Sequence, residues 1–438
     1  MTLPKPSPTR ARAWLADNPQ IPQTIAAFAI KIVGAGLSFG FSLLIARAYG
    51  PAGVGAFGLM VTTLTLAATA CLIGLDYVLI RTVAGDVRQG ALGAAKGVVR
   101  TITRIVGGNA LLMWGLLALL AIPLLTRFAG GPDATAVLAA ASFGVLPIAL
   151  IRVVSSTLRS TGRVLLAQLL DGPLSMALAL AALGGFLIAG QPDVRDAGRI
   201  YVAAIGVTVL LGAGIAWRDT ARWPVAAAVA ARPLLAGGVR ILAVVLAGFA
   251  TDWVILTVLA RYRSTAEVGL FRTAWQVATL FNIVVVAFDA VAGPRIAAAW
   301  RIDDRAAIAR TWRQAVAVIT GLSLPLLIVV LAAPEWVLHF FGPAFPAAAT
   351  ALRILALGQL VNMLTGPIGS ILVMTGHERW SMMYSIAALL VATVFAVTII
   401  PYFGLEGAAT VSSGALIFRN LIAFYLVSRF IHLGRRAA

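Results

Sequence analysis

Twelve apolar runs of roughly 20–28 residues follow one another along this chain with little between them. A stretch of that length crosses a hydrocarbon core as a tilted helix. Lipid offers no partner to a bare N–H or C=O, so a spanning segment is either a helix or a strand of a closed barrel. Barrel strands alternate apolar and polar over about ten residues, and these runs do not. The chain therefore reads as an all-α integral membrane protein. Its spans lie near 21–48, 54–80, 104–127, 134–158, 164–189, 198–217, 236–261, 266–292, 313–333, 345–373, 380–402 and 407–431.

Composition enters the argument at two points. Of 438 residues, 61% are hydrophobic and 11% charged, whereas a soluble domain carries about a quarter charged residues. The formal charge of +18 would suggest nucleic acid in a soluble protein. Here its distribution gives a better account, because cytoplasmic loops collect Lys and Arg. With the N-terminus inside, one set of segments holds 24 of the 34 basic residues, among them Lys5, Arg81, Lys96, Arg152, Arg218, Arg301 and Arg435. The other set holds six: Arg47, Arg127, Arg195, Arg199, Arg261 and Arg263. Both termini are expected in the cytoplasm, with no nucleic-acid partner. The first 20 residues contain Pro4, Pro6 and Pro8 and lack an apolar core, so they read as a tail and not as a signal peptide. Cys71, alone in the sequence, excludes an intrachain disulfide and a cysteine metal cluster.

The two longest basic connectors look helical. Lys96, Arg100 and Arg104 repeat every four residues; Arg301, Arg305 and Arg313 share a face, and Trp300, Ile308 and Trp312 share another. Helices lying on an anionic membrane surface are expected there; solvated loops are the alternative.

Sliding the chain by 214 residues gives a gap-free match to itself. Ala46-Arg47 falls on Ala260-Arg261, and Val54-Gly55-x-Phe57 on Val268-Gly269-x-Phe271. Arg81 falls on Arg295, Gly144 on Gly358, Thr161-Gly162 on Thr375-Gly376, and Gly190 on Gly404. This predicts two six-helix lobes entering from the same face, related by an axis along the membrane normal. The expected division is a tail at 1–20, a first lobe at 21–217, a linker at 218–235, a second lobe at 236–431 and a tail at 432–438. Two lobes around a cleft are a transporter architecture.

Ionisable residues inside spans usually face a bundle interior or a wet cavity. Thr24, Lys31, Ser38 and Ser42 share one line of the first span. Arg272, Gln276, Thr279, Asn282 and Asp289 form a stripe along the eighth. Gln359 and Asn362 lie in the tenth, Ser412 and Arg419 in the twelfth, Asp252 in the seventh. In the repeat register Arg272 meets Gly58, Arg419 meets Ile205, Lys31 meets Val245 and Asp252 meets Ser38, so the charges are not duplicated. Each charge alone could be a structural pair with a neighbouring helix. Together, Lys31, Arg272 and Arg419 would attract an anion, and guanidinium suits phosphate. Ser38, Gln276, Asn282, Gln359 and Asn362 are expected to line the same cavity.

No cluster of histidines with metal-ligand spacing, phosphate-binding glycine loop or nucleophile elbow appears in the sequence. A resident cofactor, a metal and an enzyme activity are therefore not expected.

The stretches LLIARAYGPAGVGAFGLM at 43–60, GLDYVLIRTVAGD at 74–86 and TDWVILTVLARYRSTAEVGLFRTAWQVATL at 251–280 resemble the polysaccharide biosynthesis (Wzx-type) oligosaccharide flippases. These belong to the multidrug/oligosaccharidyl-lipid/polysaccharide exporter superfamily. The resemblance implies a MATE-like flippase fold and transfer of an undecaprenyl-pyrophosphate-linked oligosaccharide between leaflets, for O-antigen, capsule or exopolysaccharide. It implies a cationic cavity, matched by Lys31, Arg272 and Arg419, and ion-gradient coupling, for which Asp252 and Asp289 are the candidates. Glycosyltransferases and a polysaccharide polymerase would be functional partners. A multidrug or small-metabolite antiporter of the same fold is the alternative. A membrane glycosyltransferase or polymerase is the alternative of another class, and it would need a long external loop.

Overall fold

The computed structural model describes residues 20–121, 123, 132–190, 193–224 and 229–431. The expected N-terminal tail, Arg127 and the C-terminal tail with His432 lie outside the described residues. Among those described, ten helices are long and apolar enough to cross a membrane. Two of them double back, which gives twelve candidate crossings among the described residues, the number expected.

In chain order the helices are α1 Gln20–Leu72, α2 Leu75–Arg88, α3 Leu92–Leu116, α4 Pro132–Ala141, α5 Val145–Ser160, α6 Val164–Leu170, α7 Pro173–Ala189 and α8 Val194–Ala221. The second lobe continues with α9 Ala231–Tyr262, α10 Thr265–Thr279, α11 Phe281–Arg301, α12 Arg305–Ala332, α13 Pro334–His339, α14 Ala349–Thr365, α15 Ile368–Met374 and α16 Glu378–Ile431.

α1 is two antiparallel spans hinged at Gly50, whose φ of 64° only glycine adopts without strain. Phe41 and Phe57 prove the reversal. Sixteen residues would separate them by about 24 Å on a straight helix, yet their rings lie 5.5 Å apart. α16 reverses the same way at Gly404, φ 52°. The register of the repeat is visible in local geometry. Thr161-Gly162 and Thr375-Gly376 end their helices alike, with glycine φ of 88° and 79°. Arg163 N donates to the Leu158 carbonyl where His377 N donates to the Leu372 carbonyl.

The lobes meet on small residues. A Cβ at Gly55 would collide with the Thr265 carbonyl, and a Cβ at Gly269 with the Pro51 carbonyl. These are the same contact twice, since 51 and 265, and 55 and 269, are repeat mates. The pseudo-twofold axis therefore runs through this point, at the membrane face opposite the basic one. Around it, Arg47 Nε and Nη2 donate to the Phe340 carbonyl at 3.2 and 3.1 Å. Phe39 packs edge-on against Phe341 at 5.1 Å. Along the other seam, Trp253 Nε1 donates to Thr63 Oγ1 at 3.1 Å, and Gly74 packs on the Gly238 backbone near the basic face. α11, the basic-face half of the eighth span, makes its main contacts within the second lobe. The lobes are thus closed on each other at the far face, while towards the basic face α11 makes no comparable contact with the first span among the described residues.

The surface matches lipid. Ile188, Leu119 and Leu210 are 91%, 77% and 74% exposed, which water would penalise and hydrocarbon does not. Trp217 and Tyr402, near span ends, are also exposed, in keeping with aromatic belts at the interface. The protein is a multi-pass membrane protein.

Two expectations fail. Lys96, Arg100 and Arg104 do not form a separate surface helix; they open α3, so the third span begins at Leu92 and not near 104. Lys96 Nζ donates to the carbonyls of Ala221 and Trp223, where α8 ends and its last carbonyls need donors. Arg305, Ile308, Trp312 and Arg313 likewise belong to α12. Ile308 is fully buried, and Trp312 Nε1 donates to the Thr365 carbonyl at 2.9 Å. The apolar faces that suggested a membrane surface are packed on protein. Periodicity cannot separate the two cases.

The glycine contact is testable by thermal unfolding in detergent. Gly55→Ala and Gly269→Ala should each cost about 1–3 kcal/mol through overpacking. Gly184→Ala, whose Cβ would meet nothing within 4 Å, should be neutral or slightly stabilising. Equal effects at the three positions would refute the contact.

Candidate functional site

Two breaks shape the second lobe's interior. The eighth span is interrupted at Leu280, between α10 and α11. The tenth ends at Gly366, φ 65°, followed by Pro367 and the short α15. Proline and a positive-φ glycine release carbonyls and part the helices. Between α9, α10, α11, α14, α15 and α16 lies a chamber of about 560 Å³. Every residue lining it belongs to the second lobe, between Val244 and Ala423.

Its wall is built on a side-chain amide network. Asn362 Nδ2 donates to Asn282 Oδ1 at 2.9 Å and to Gln359 Oε1 at 3.2 Å. Asn420 Nδ2 donates to Asn362 Oδ1 at 3.1 Å. Asn362 is the hub, joining α14, α11 and α16. Such bonds are worth about 0.6 kcal/mol each between membrane helices. Ser385, Ser412, Ser413, Thr251 and Thr279 add hydroxyls, and Trp275 and Tyr384 add aromatic faces. Two charged residues line the chamber, Asp252 and Arg419. No ion pair joins them among the described residues, and Arg419 is exposed.

Asp252 and Trp275 also line a small pocket shared with Arg272, so they form the partition between it and the chamber. The Arg272 guanidinium lies 4.5 Å from the Trp275 ring centroid, a cation–π geometry. Its stem rests on the first lobe: a Cβ at Gly58 would sit 3.1 Å from Arg272 Cγ.

The expected site residues therefore separate. Asp252, Arg419, Asn282, Gln359 and Asn362 come together in the chamber, and Arg272 stands behind its wall. Gln276 does not line it. Ser38 is on the first lobe, where its hydroxyl donates to the Gly34 carbonyl. Lys31, also on the first lobe, is exposed, with no polar partner among the described residues. The side chain of Asp289 lies outside the described residues. Sequence reasoning passed over Trp275, Tyr384, Ser385, Ser413 and Asn420. A signal existed for one pair: Ser413 and Asn420 are seven apart, on one face of the twelfth span.

Among the described residues no group of His, Cys, Asp and Glu could hold a metal ion. The basic-face end of the first lobe carries a separate ionic cluster. Arg159 Nη2 pairs with Asp171 at 2.6 Å, near Arg152 and Asp76, which line a crevice with Ile241 and Val245 of the other lobe.

The network makes a stability prediction. Asn362→Ala removes three hydrogen bonds and should cost about 2 kcal/mol at ~0.6 kcal/mol per bond. Asn420→Ala removes one and should cost about a third of that. Thermal unfolding of the purified protein measures both, and equal losses would contradict the hub.

Residues 241–417 match the MatE family model, described as MatE. No curated protein matches the chain by sequence. Among solved structures, the inward-facing form of a multidrug resistance MATE family transporter of the MOP superfamily superposes with a TM-score of 0.78 at 15% identity, covering 95% of this chain and all of that one. An outward-facing form of such a transporter gives 0.67 at 15% identity, over 93% and 95% of the two chains. The lipid II flippase MurJ, in an inward closed conformation, gives 0.71 at 14% identity, over 93% and 87%. The chain thus has the two-lobed fold of the MATE transporters, and its match to the MatE family model falls within the second lobe.

Proposed function

We propose that this protein is an alternating-access flippase of the bacterial inner membrane, moving a polyprenyl-pyrophosphate-linked oligosaccharide towards the outer leaflet for surface or exopolysaccharide synthesis. The observation that carries this reading is the chamber's lining of amides, hydroxyls and Arg419. Such a surface exchanges hydrogen bonds with a hydrated polar headgroup, which has no other way to cross hydrocarbon. The basic face is the cytoplasmic one, and a cleft opening there would admit the substrate while its lipid tail stays in the bilayer. Lys31 and Arg419, both exposed and neither in an ion pair among the described residues, are offered for the pyrophosphate. Arg272 is already engaged on Trp275 and would act through the chamber wall. Asp252 and Asp289 are offered for ion coupling. Partner enzymes would be the glycosyltransferases and the polymerase that make and consume the substrate.

The second reading is a multidrug antiporter, favoured by the MatE domain and by the names of the multidrug transporters that share the fold. A lipophilic organic cation calls for acidic and aromatic walls. Here the chamber's one carboxylate, Asp252, is matched by Arg419, which weighs against that reading.

Reconstituted vesicles carrying a fluorescent lipid-linked sugar test the proposal, with membrane-impermeant quenching as the readout. Wild-type protein should move the lipid between leaflets. Arg419→Ala should slow it by about tenfold or more, equivalent to ~1.4 kcal/mol. Arg419→Lys should recover part, because charge survives without the bidentate fork. Arg88→Ala, on the exposed basic face, is the control. If the lipid does not move while cells lacking the protein become drug-sensitive and keep their surface polysaccharide, the antiporter reading replaces this one.

A further inference from the structure

The second-lobe chamber differs from what a pyrophosphate alone would need. Its formal charges cancel, Asp252 against Arg419. Those two also lie at different depths. Arg263 Nη2 donates to the Pro401 and Tyr402 carbonyls, so α9 ends, and the second half of α16 begins, at one level at the face opposite the basic one. From there, at 1.5 Å per residue, Asp252 is about 16 Å deep and Arg419 about 22 Å deep. Arg419 stands exposed, towards the basic side. The rest of the lining is neutral: the amides of Asn282, Gln359, Asn362 and Asn420, serine and threonine hydroxyls, and the ring of Trp275.

That lining is suited to an uncharged, hydroxyl-rich ring. Amides offer both donors and acceptors and hold each other in place through the Asn362 hub, so their orientation is set before a ligand arrives. A sugar also presents a patch of C–H bonds that lies on an aromatic face. One face of Trp275 is covered by Arg272, while Trp275 also lines the chamber. A free α-amino acid zwitterion fits less well, because its nitrogen and carboxyl carbon are only about 2.5 Å apart, against the ~6 Å difference in depth. A volume of about 560 Å³ lies within the roughly 300–1,000 Å³ of small-molecule sites.

We infer that this chamber is a glycan subsite held by the second lobe alone, taking the uncharged sugar next to the pyrophosphate, with Trp275 as its stacking platform and Asn282 and Gln359 as its polar contacts. The inference rests on the flippase reading and divides the headgroup. The charged part stays at Arg419 and the cleft; the neutral part enters one lobe. The sugar then travels with that lobe as the cleft changes side, and its contacts need not break during the rocking.

The probes are citronellyl pyrophosphate and the same lipid extended by N-acetylglucosamine, glucose or galactose, bound to purified protein in nanodiscs. At least one glycan form should bind wild-type protein roughly tenfold more tightly than the sugarless lipid. Asn282→Ala and Trp275→Leu should remove most of that advantage, and Trp275→Phe should restore part of it. In each variant the change in sugarless binding should be smaller than the change in glycan binding, which also reports that the variant is folded. In a Cys71→Ala background, the thiol introduced by Ser412→Cys should be shielded from a water-soluble thiol reagent by the glycan form and not by the sugarless one. If no glycan form outbinds the sugarless lipid, or if the variants weaken both equally, the glycan subsite is wrong and the flippase reading stands. If neither lipid binds while rhodamine 6G does, the flippase reading itself has failed.

Discussion

Two glycines, repeat mates 214 residues apart, let the backbones of the first and second lobes touch where the pseudo-axis meets the far face of the membrane. At Gly55 and Gly269 the carbonyl of one helix occupies the space where the other would carry a Cβ. In lipid there is no hydrophobic drive to pull helices together, so close approach of small residues takes its place. Much else follows from that point of contact. It brings Arg47 within reach of the Phe340 carbonyl and Phe39 against Phe341. It presses α10 on the first lobe, which places Arg272 at the seam. The far end of the eighth span is then free to lean away at the basic face.

The polar interior is arranged to suit that mobility. The amide network lies entirely inside the second lobe and ties α11, α14 and α16 to each other. A lobe stiffened from within can move as a body, and among the described residues the seam between the lobes carries only a few polar bonds. Trp253 to Thr63 and Arg47 to Phe340 are single donors or single residues reaching a partner. Bonds of this kind cost little to exchange for water on opening.

Much of this fold was legible because lipid makes the code simple. Span number, the reversal near Gly50, the turn at Gly404 and the repeat all follow from apolar length and from glycine at helix ends. The breaks at Gly74, Leu280 and Gly366 were not legible. A span interrupted by a turn still has the composition of a span, and only its packing shows the interruption. For the same reason Lys96 and Trp312 suggested surface helices when they open buried ones. The chamber was half legible. Asp252, Asn282, Gln359, Asn362 and Arg419 stand out as polar residues at depth, and they meet. Lys31 stands out equally and is on the other lobe, since depth along a helix says nothing of which neighbour it faces. Trp275 was hidden because an aromatic residue in an apolar span carries no signal of its own.

The contact of Gly58 with Arg272 has a further meaning once it is seen that these two are also repeat mates. They face each other across the pseudo-axis, and the stem of Arg272 occupies the space that a side chain at position 58 would take. Two arginines cannot share that space, and two glycines would leave it empty. A pair of lobes descended from identical halves could not have kept the same residue at both places and had a guanidinium on Trp275. The departure from symmetry at this position is therefore imposed by steric exclusion on the axis, before any question of what the protein carries.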